Sequence, residues 1–138
     1  MIRTLALLIL LIGMACQSTD VEPTKLLYKT WERQSGTYQG QAWPPTYGQL
    51  TVVRFNEDGR LTDEVGRQYG GCCGAGGFVA KPDSILFHGD GLSHPECMLI
   101  RCVGDELLTG QRWRITKLTA TDLVLTANQQ EVVYKALR

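Results

Sequence analysis

The sequence predicts an all-β domain of about eight short antiparallel strands, arranged as a small barrel or a sandwich. Three observations carry that expectation. The last third contains three strand-like runs, R-W-R-I-T-K-L, D-L-V-L-T and Q-E-V-V-Y-K-A-L, each ended by a short polar turn. Near the middle, Q-L-T-V-V-R-F-N is β-branched and aromatic without an internal glycine or proline, and N-E-D-G follows it as a hairpin turn. Fifteen glycines, with few long apolar stretches of helical period, favour turns and strands over helices.

Residues 25–34, K-L-L-Y-K-T-W-E-R-Q, open the domain. Read as a strand, they put Leu27 and Trp31 on one face; Leu26, Leu27 and Trp31 also fit a short helical turn leading into a strand. Trp31 is expected in the core. Residues 35–48 carry Gly36, Gly40, Pro44, Pro45 and Gly48 together with Tyr38, Trp43 and Tyr47. Two adjacent prolines remove two ladder donors, so this stretch is expected to be a long aromatic loop, either functional or covering a barrel end. After the central strand and its turn at Gly59, residues 60–65 return with Leu61, Asp63 and Val65 on one face. Residues 66–77 include G-G-C-C-G-A-G-G, too glycine-rich to build a core. Residues 78–80 and 84–88 are short strands flanking the turn Lys81-Pro82-Asp83. Residues 89–96 form a further loop and 97–103 a further strand. In the first of the closing strands Trp113 and Ile115 are expected to face inward, and Arg112 and Arg114 outward.

The first fifteen residues are a targeting segment. Arg3 precedes an uncharged apolar run at residues 5–14, too short to span a bilayer in the mature protein. Ala15 stands directly before Cys16, and this resembles a bacterial lipoprotein signal, although Gly13 occupies a position where that family prefers leucine. The resemblance implies cleavage before Cys16 and acylation of its thiol, fixing the protein to the bacterial cell envelope, at the outer membrane. The alternative is ordinary secretion with Cys16 a free thiol. Residues 16–24 are then a polar tether, and residues 25–138 the domain. The acyl chains add about 0.8 kcal/mol per buried CH₂, which holds the domain at the membrane surface.

Charge excludes one class of partner. The formal net charge is zero, and removing residues 1–15 takes away only Arg3, so no basic field exists to attract nucleic acid.

Export favours disulfides among the four cysteines that remain, Cys72, Cys73, Cys97 and Cys102. A Cys72–Cys73 bridge is disfavoured by ring strain, and bridges from the glycine-rich loop to Cys97 and Cys102 are expected, with the pairing open. A zinc site built from these cysteines with His88 and His94 is the alternative; the absence of a C-x-x-C or H-x-x-x-H pair counts against it, and no metal or cofactor is expected. Asp90, Ser93 and His94 lie close in sequence, but nearness in sequence does not make a triad, and no recognised catalytic motif is present. The expected protein is not an enzyme, and no residue is assigned a catalytic role.

Trp31, Phe55 with Asp58-Gly59, the run Trp113 to Leu118 written W-R-I-T-K-L, and L-V-L at Leu123 to Leu125 follow one pattern along the domain. In this the chain resembles the lipocalin-like lipoproteins of Bacteroidetes. The resemblance implies a short eight-stranded up-and-down barrel and a binding module for a small apolar ligand. A structural or inhibitory envelope protein acting through protein contacts is the other reading. The Gly-Cys-Cys-Gly and Trp-Pro-Pro loops stand outside the shared pattern.

Overall fold

Most strands hydrogen-bond to a neighbour in sequence, and the last returns to the first. A computed structural model of the chain describes residues 23–42, 52–69, 75–89 and 111–138. Among them are one short helix and nine strands: α1 (Pro23–Leu27), β1 (Thr30–Tyr38), β2 (Gln41–Ala42), β3 (Val52–Phe55), β4 (Leu61–Thr62), β5 (Gly77–Ala80), β6 (Ser84–His88), β7 (Arg112–Leu118), β8 (Asp122–Ala127) and β9 (Gln130–Ala136). The sheet runs β4-β3-β1-β9-β8-β7-β6-β5, all antiparallel, with β2 pairing β1 beside that path. A bridge from Arg60 to Gly77 joins the two ends. At this seam Leu61 N donates to Gly76 O at 3.0 Å and Phe78 N to Gly59 O at 2.8 Å. The result is the expected up-and-down barrel of eight strands, nearly closed, which leaves little unpaired edge.

The start of the domain follows the helical alternative. Proline suits the first turn of α1, where its missing N–H has no acceptor to lose. Leu27 ends the helix fully buried, and its carbonyl accepts the indole Nε1–H of Trp31 at 2.9 Å. Trp31 itself is fully buried, as expected of a core residue. Lys29 lies above the Trp31 ring, 5.4 Å from its centre, and donates to Ala120 O at 3.0 Å, so it ties the helix end to the β7–β8 turn.

Two expectations need correction. The first half of the stretch expected as a loop at 35–48 is ladder, since β1 continues through Gly36 to Tyr38 and turns back into β2. Gln39 and Gly40 both have positive φ, 52° and 76°, the two-residue turn that matches strand twist; Gln-Gly lacks the usual Asn-Gly signature. Val65 does not continue the face of Leu61 but is 66% exposed. The reason is Asp63, whose Oδ1 accepts from Val65 N (3.0 Å) and Arg67 N (2.8 Å) while Oδ2 accepts from Arg67 Nε (2.8 Å). This carboxylate folds the chain into a tight turn, and Gln68 and Tyr69 come back beside β4 through the Thr62–Gln68 bridge and the bond from Tyr69 N to Leu61 O.

Side chains fill the described interior. Trp31, Trp113, Tyr69, Tyr134, Phe55 and Phe87 are each less than 2% exposed or at that limit, with Leu27, Leu61, Ile85, Leu123 and Leu125 between them. All three phenylalanines meet across the seam. Phe55 of β3 sits edge-on to Phe78 of β5, centroids 4.9 Å apart at 75°, and tilted against Phe87 of β6 at 6.2 Å.

The β7–β8 turn is pinned by Asp122. Its carboxylate accepts from Lys135 across the β8–β9 pair and from Thr121 Oγ1 at 2.8 Å, with Lys117 Nζ 3.7 Å away. The Lys135 hydrogen bond, then that of Thr121, pull the carboxyl down to about 2 from its ordinary 3.8. A carboxyl held lower in the folded state contributes stability above its unfolded pKa and loses it as pH falls through the folded one. Asp122→Asn is therefore expected to be less stable than the parent at pH 7, with the gap narrowing between pH 4 and pH 2. Urea midpoints measured across that range check this, and a gap independent of pH would overturn it.

Candidate functional site

The two ends of the barrel differ. Among the described residues one end, the base, carries only short turns at 56–59, 81–83 and 119–121, together with α1. The turns are tight: Gly59 N bonds Asn56 O at 3.0 Å, Lys81 N bonds Ser84 O at 2.7 Å, and Thr119 N bonds Asp122 O at 2.8 Å. The connections 43–51, 70–74 and 90–110 attach toward the other end, the rim. Ala42 pairs with Thr37 and Val52 with Glu32, so 43–51 interrupts a descending strand beside β1. In the same way 70–74 interrupts the strand that runs down beside β4, between Tyr69 and Ala75. The third connection, 90–110, leaves from Gly89 and returns at Gln111, whose carbonyl accepts from Phe87 N at 3.0 Å.

The attachment points of two of these connections touch. A Cβ on Gly89 would stand 2.5 Å from Gly76 N, so the chain leaves for 90–110 in contact with the chain arriving from 70–74. Cys72 and Cys73 belong to the first connection, Cys97 and Cys102 to the second. These four, Cys16, and the candidates Trp43, Tyr47, Asp90, Ser93 and His94 all lie outside the described residues, as does the strand expected at 97–103. His88 is described and stands exposed at the end of β6. Among the described residues no group of three or more His, Cys, Asp or Glu is placed to hold a metal ion.

Trp113 faces inward and is fully buried, Ile115 is half-buried against the core, and Arg112 and Arg114 are exposed, all as expected. A bulge between Ile115 and Lys117 then breaks the alternation. The expectation did not extend to the polar atoms. Among the described residues two buried side-chain atoms lack a hydrogen-bond partner, Nε1 of Trp113 and Oε1 of Gln111. One is a donor and the other an acceptor. Gln111 directly precedes β7 and Trp113 is its second residue, so strand alternation puts the two on the same side, roughly 7 Å apart along the chain. They stand at the rim-ward end of that strand. Buried polar groups are seldom left unpaired, so this pair marks the place where the interior chemistry is incomplete. No feature of the sequence distinguishes the Trp113 indole, left unpartnered, from that of Trp31, which is satisfied by Leu27.

The fold defines a class: nearly closed, all-antiparallel meander barrels of eight strands. Among solved structures, the barrel resembles an uncharacterized protein from Bacteroides eggerthii at a TM-score of 0.52 and 15% identity, over 80% of this chain and 99% of that one. A lipocalin-like protein from Bacteroides uniformis superimposes at a TM-score of 0.46 and 13% identity, over 81% of this chain and 99% of that one. At such identities the first likeness establishes a shared fold and nothing about activity. No protein family and no curated protein matches the sequence.

Proposed function

We propose that the protein is a non-catalytic binding module, held at the bacterial outer membrane by acylation of Cys16, that takes a small, largely apolar ligand at the rim of its barrel. The observation that carries this reading is the unpartnered pair at Trp113 and Gln111. An apolar molecule with one hydroxyl or amide group satisfies the indole N–H and the Gln111 oxygen while its remainder lies against aromatic side chains. The contact between the roots of 70–74 and 90–110 supports disulfides between Cys72 or Cys73 and Cys97 or Cys102, which would stiffen the rim.

Native mass spectrometry of the full chain, before and after reduction, tests the whole reading. The expected results are an acylated Cys16, two disulfides and a retained small molecule. Trp113→Phe keeps the ring but removes the N–H, and is expected to reduce retention by several-fold to about tenfold, the worth of one neutral hydrogen bond. The side chains packed in the described part of the interior favour a second reading, in which the rim binds a protein partner through Trp43, Tyr47 and the Cys72 region. No retained molecule, and no response to Trp113→Phe, would remove the first reading in favour of the second.

A further inference from the structure

A groove of about 620 Å³ runs along the outer wall of the barrel where β4 meets β5. Its floor is Gly76 and Gly77. A Cβ on Gly76 would come within 2.6 Å of Gln68 Nε2, and one on Gly77 within 2.7 Å of His88 Cε1. Bare backbone at these two positions therefore lets Gln68 and His88 lie across the strand. Arg60 and Thr62 line the β4 side, and Val79, 49% exposed, lines the β5 side. These residues face outward, away from Leu61, Tyr69 and Phe78 in the core.

Two of the polar groups along the groove, those of Arg60 and Thr62, have side-chain partners. Asp58 Oδ1 accepts from Arg60 N at 3.0 Å, and Oδ2 takes Arg60 Nε and Nη2 at 2.6 Å each. The hydrogen bond to Arg60 lowers the Asp58 carboxyl below its usual range and raises the guanidinium. Arg60 thus presents its remaining N–H groups from a fixed position. Thr62 Oγ1 accepts from Asn56 Nδ2 at 3.1 Å, which leaves its own proton to point elsewhere.

We propose that this groove is a binding site for a small, uncharged, hydroxyl-rich molecule, a sugar or polyol. Its volume lies in the range of small-molecule sites, roughly 300–1,000 Å³. The formal charges of Asp58 and Arg60 cancel. A carboxylate or phosphate would have to compete with Asp58 for the guanidinium, and an amine would have to compete with Arg60 for the carboxylate. A hydroxyl both donates and accepts, and so suits a wall where Arg60 and Thr62 donate while Gln68 and His88 offer both functions. Val79 supplies an apolar contact for the C–H face of such a ring. The site is separate from whatever the rim holds.

The test is an NMR titration of the ¹⁵N-labelled full chain with maltose, with gluconate and glucosamine as charged comparators. Maltose is expected to give saturable shifts at the amides of Gln68, Gly77 and His88, and the charged sugars to bind at least tenfold more weakly. Gln68→Leu should reduce maltose affinity tenfold or more at an unchanged urea midpoint. Val79→Glu, farther along the same wall, should do the same and serves as the second variant if the first shifts the midpoint. Trp113→Phe should leave maltose binding untouched, which separates this site from the rim. The proposal is overturned by no saturable shift up to ~10 mM, a concentration well above millimolar affinity. Shifts confined to the rim, or tighter binding of either charged sugar, overturn it equally.

Discussion

Phe55→Ala is expected to destabilise the protein by about 3–5 kcal/mol, a large share of the ~5–15 kcal/mol that holds a typical domain folded. Phe55 is 1% exposed and belongs to β3, yet its ring contacts are with Phe78 and Phe87 on the far side of the seam. Little backbone pairing joins β4 to β5, so apolar contact between these three rings carries much of the closure. Truncation removes the burial of one ring and the edge-on contact with another, itself worth about 0.5–1.5 kcal/mol. Phe55→Leu keeps much of the volume and should cost much less, of the order of 1–2 kcal/mol. Urea unfolding of both variants gives the comparison. Near-equal midpoints for Ala and Leu would show that ring contact across the seam is not what closes the barrel.

Gly59→Ala is the second large effect, expected to cost about 1–3 kcal/mol through backbone geometry rather than burial. Gly59 has φ of 80°, a conformation that resists a side chain, and a Cβ there would stand 3.1 Å from Phe78 O. The same residue's carbonyl accepts Phe78 N. Strain at this point therefore acts directly on a seam hydrogen bond. Amide hydrogen exchange should show lost protection at Leu61 and Phe78, while Val124 and Val133 in the β8–β9 pair change only with global stability. Uniform loss over all strands would mean that the seam does not open on its own.

Much of this barrel was legible in the sequence. Trp31 and Trp113 declared themselves by type and alternation, Phe55, Leu123 and Leu125 entered through the family resemblance, and the turns at Gly59 and at Lys81 to Asp83 declared themselves by composition. What was not legible depends on partners far along the chain. Nothing local at Arg60 or Gly77 signals that they pair and close the ring. The Gln39-Gly40 turn lacks its usual signature, and Asp63 reads as an alternating strand residue until its carboxylate is seen to cap a turn. The candidate site divides the same way. The segments singled out from glycine, proline and cysteine content lie largely outside the described residues, and only their attachment points are seen. The unpartnered Trp113 nitrogen and the groove on the outer wall arise only once strands are side by side. Gly76 and Gly77 read as loop filler in sequence, and become a floor because Gln68, from the far side of 70–74, and His88, from β6, lie against them.

The pairing of β1 with β9 joins residues 30–38 to residues 130–136, the two extremes of the domain. Folding therefore cannot finish by local zipping. The hairpins β5–β6, β7–β8 and β8–β9 can form early from short-range contacts, but the ring must wait for β9 before β1 is paired on its second edge. Such long-range closure belongs to the slower part of the folding-rate spectrum, milliseconds to seconds. Until then β1 and β8 both present bare edges, so a chain emerging N-terminus first stays open, and sticky, until its final strand is delivered.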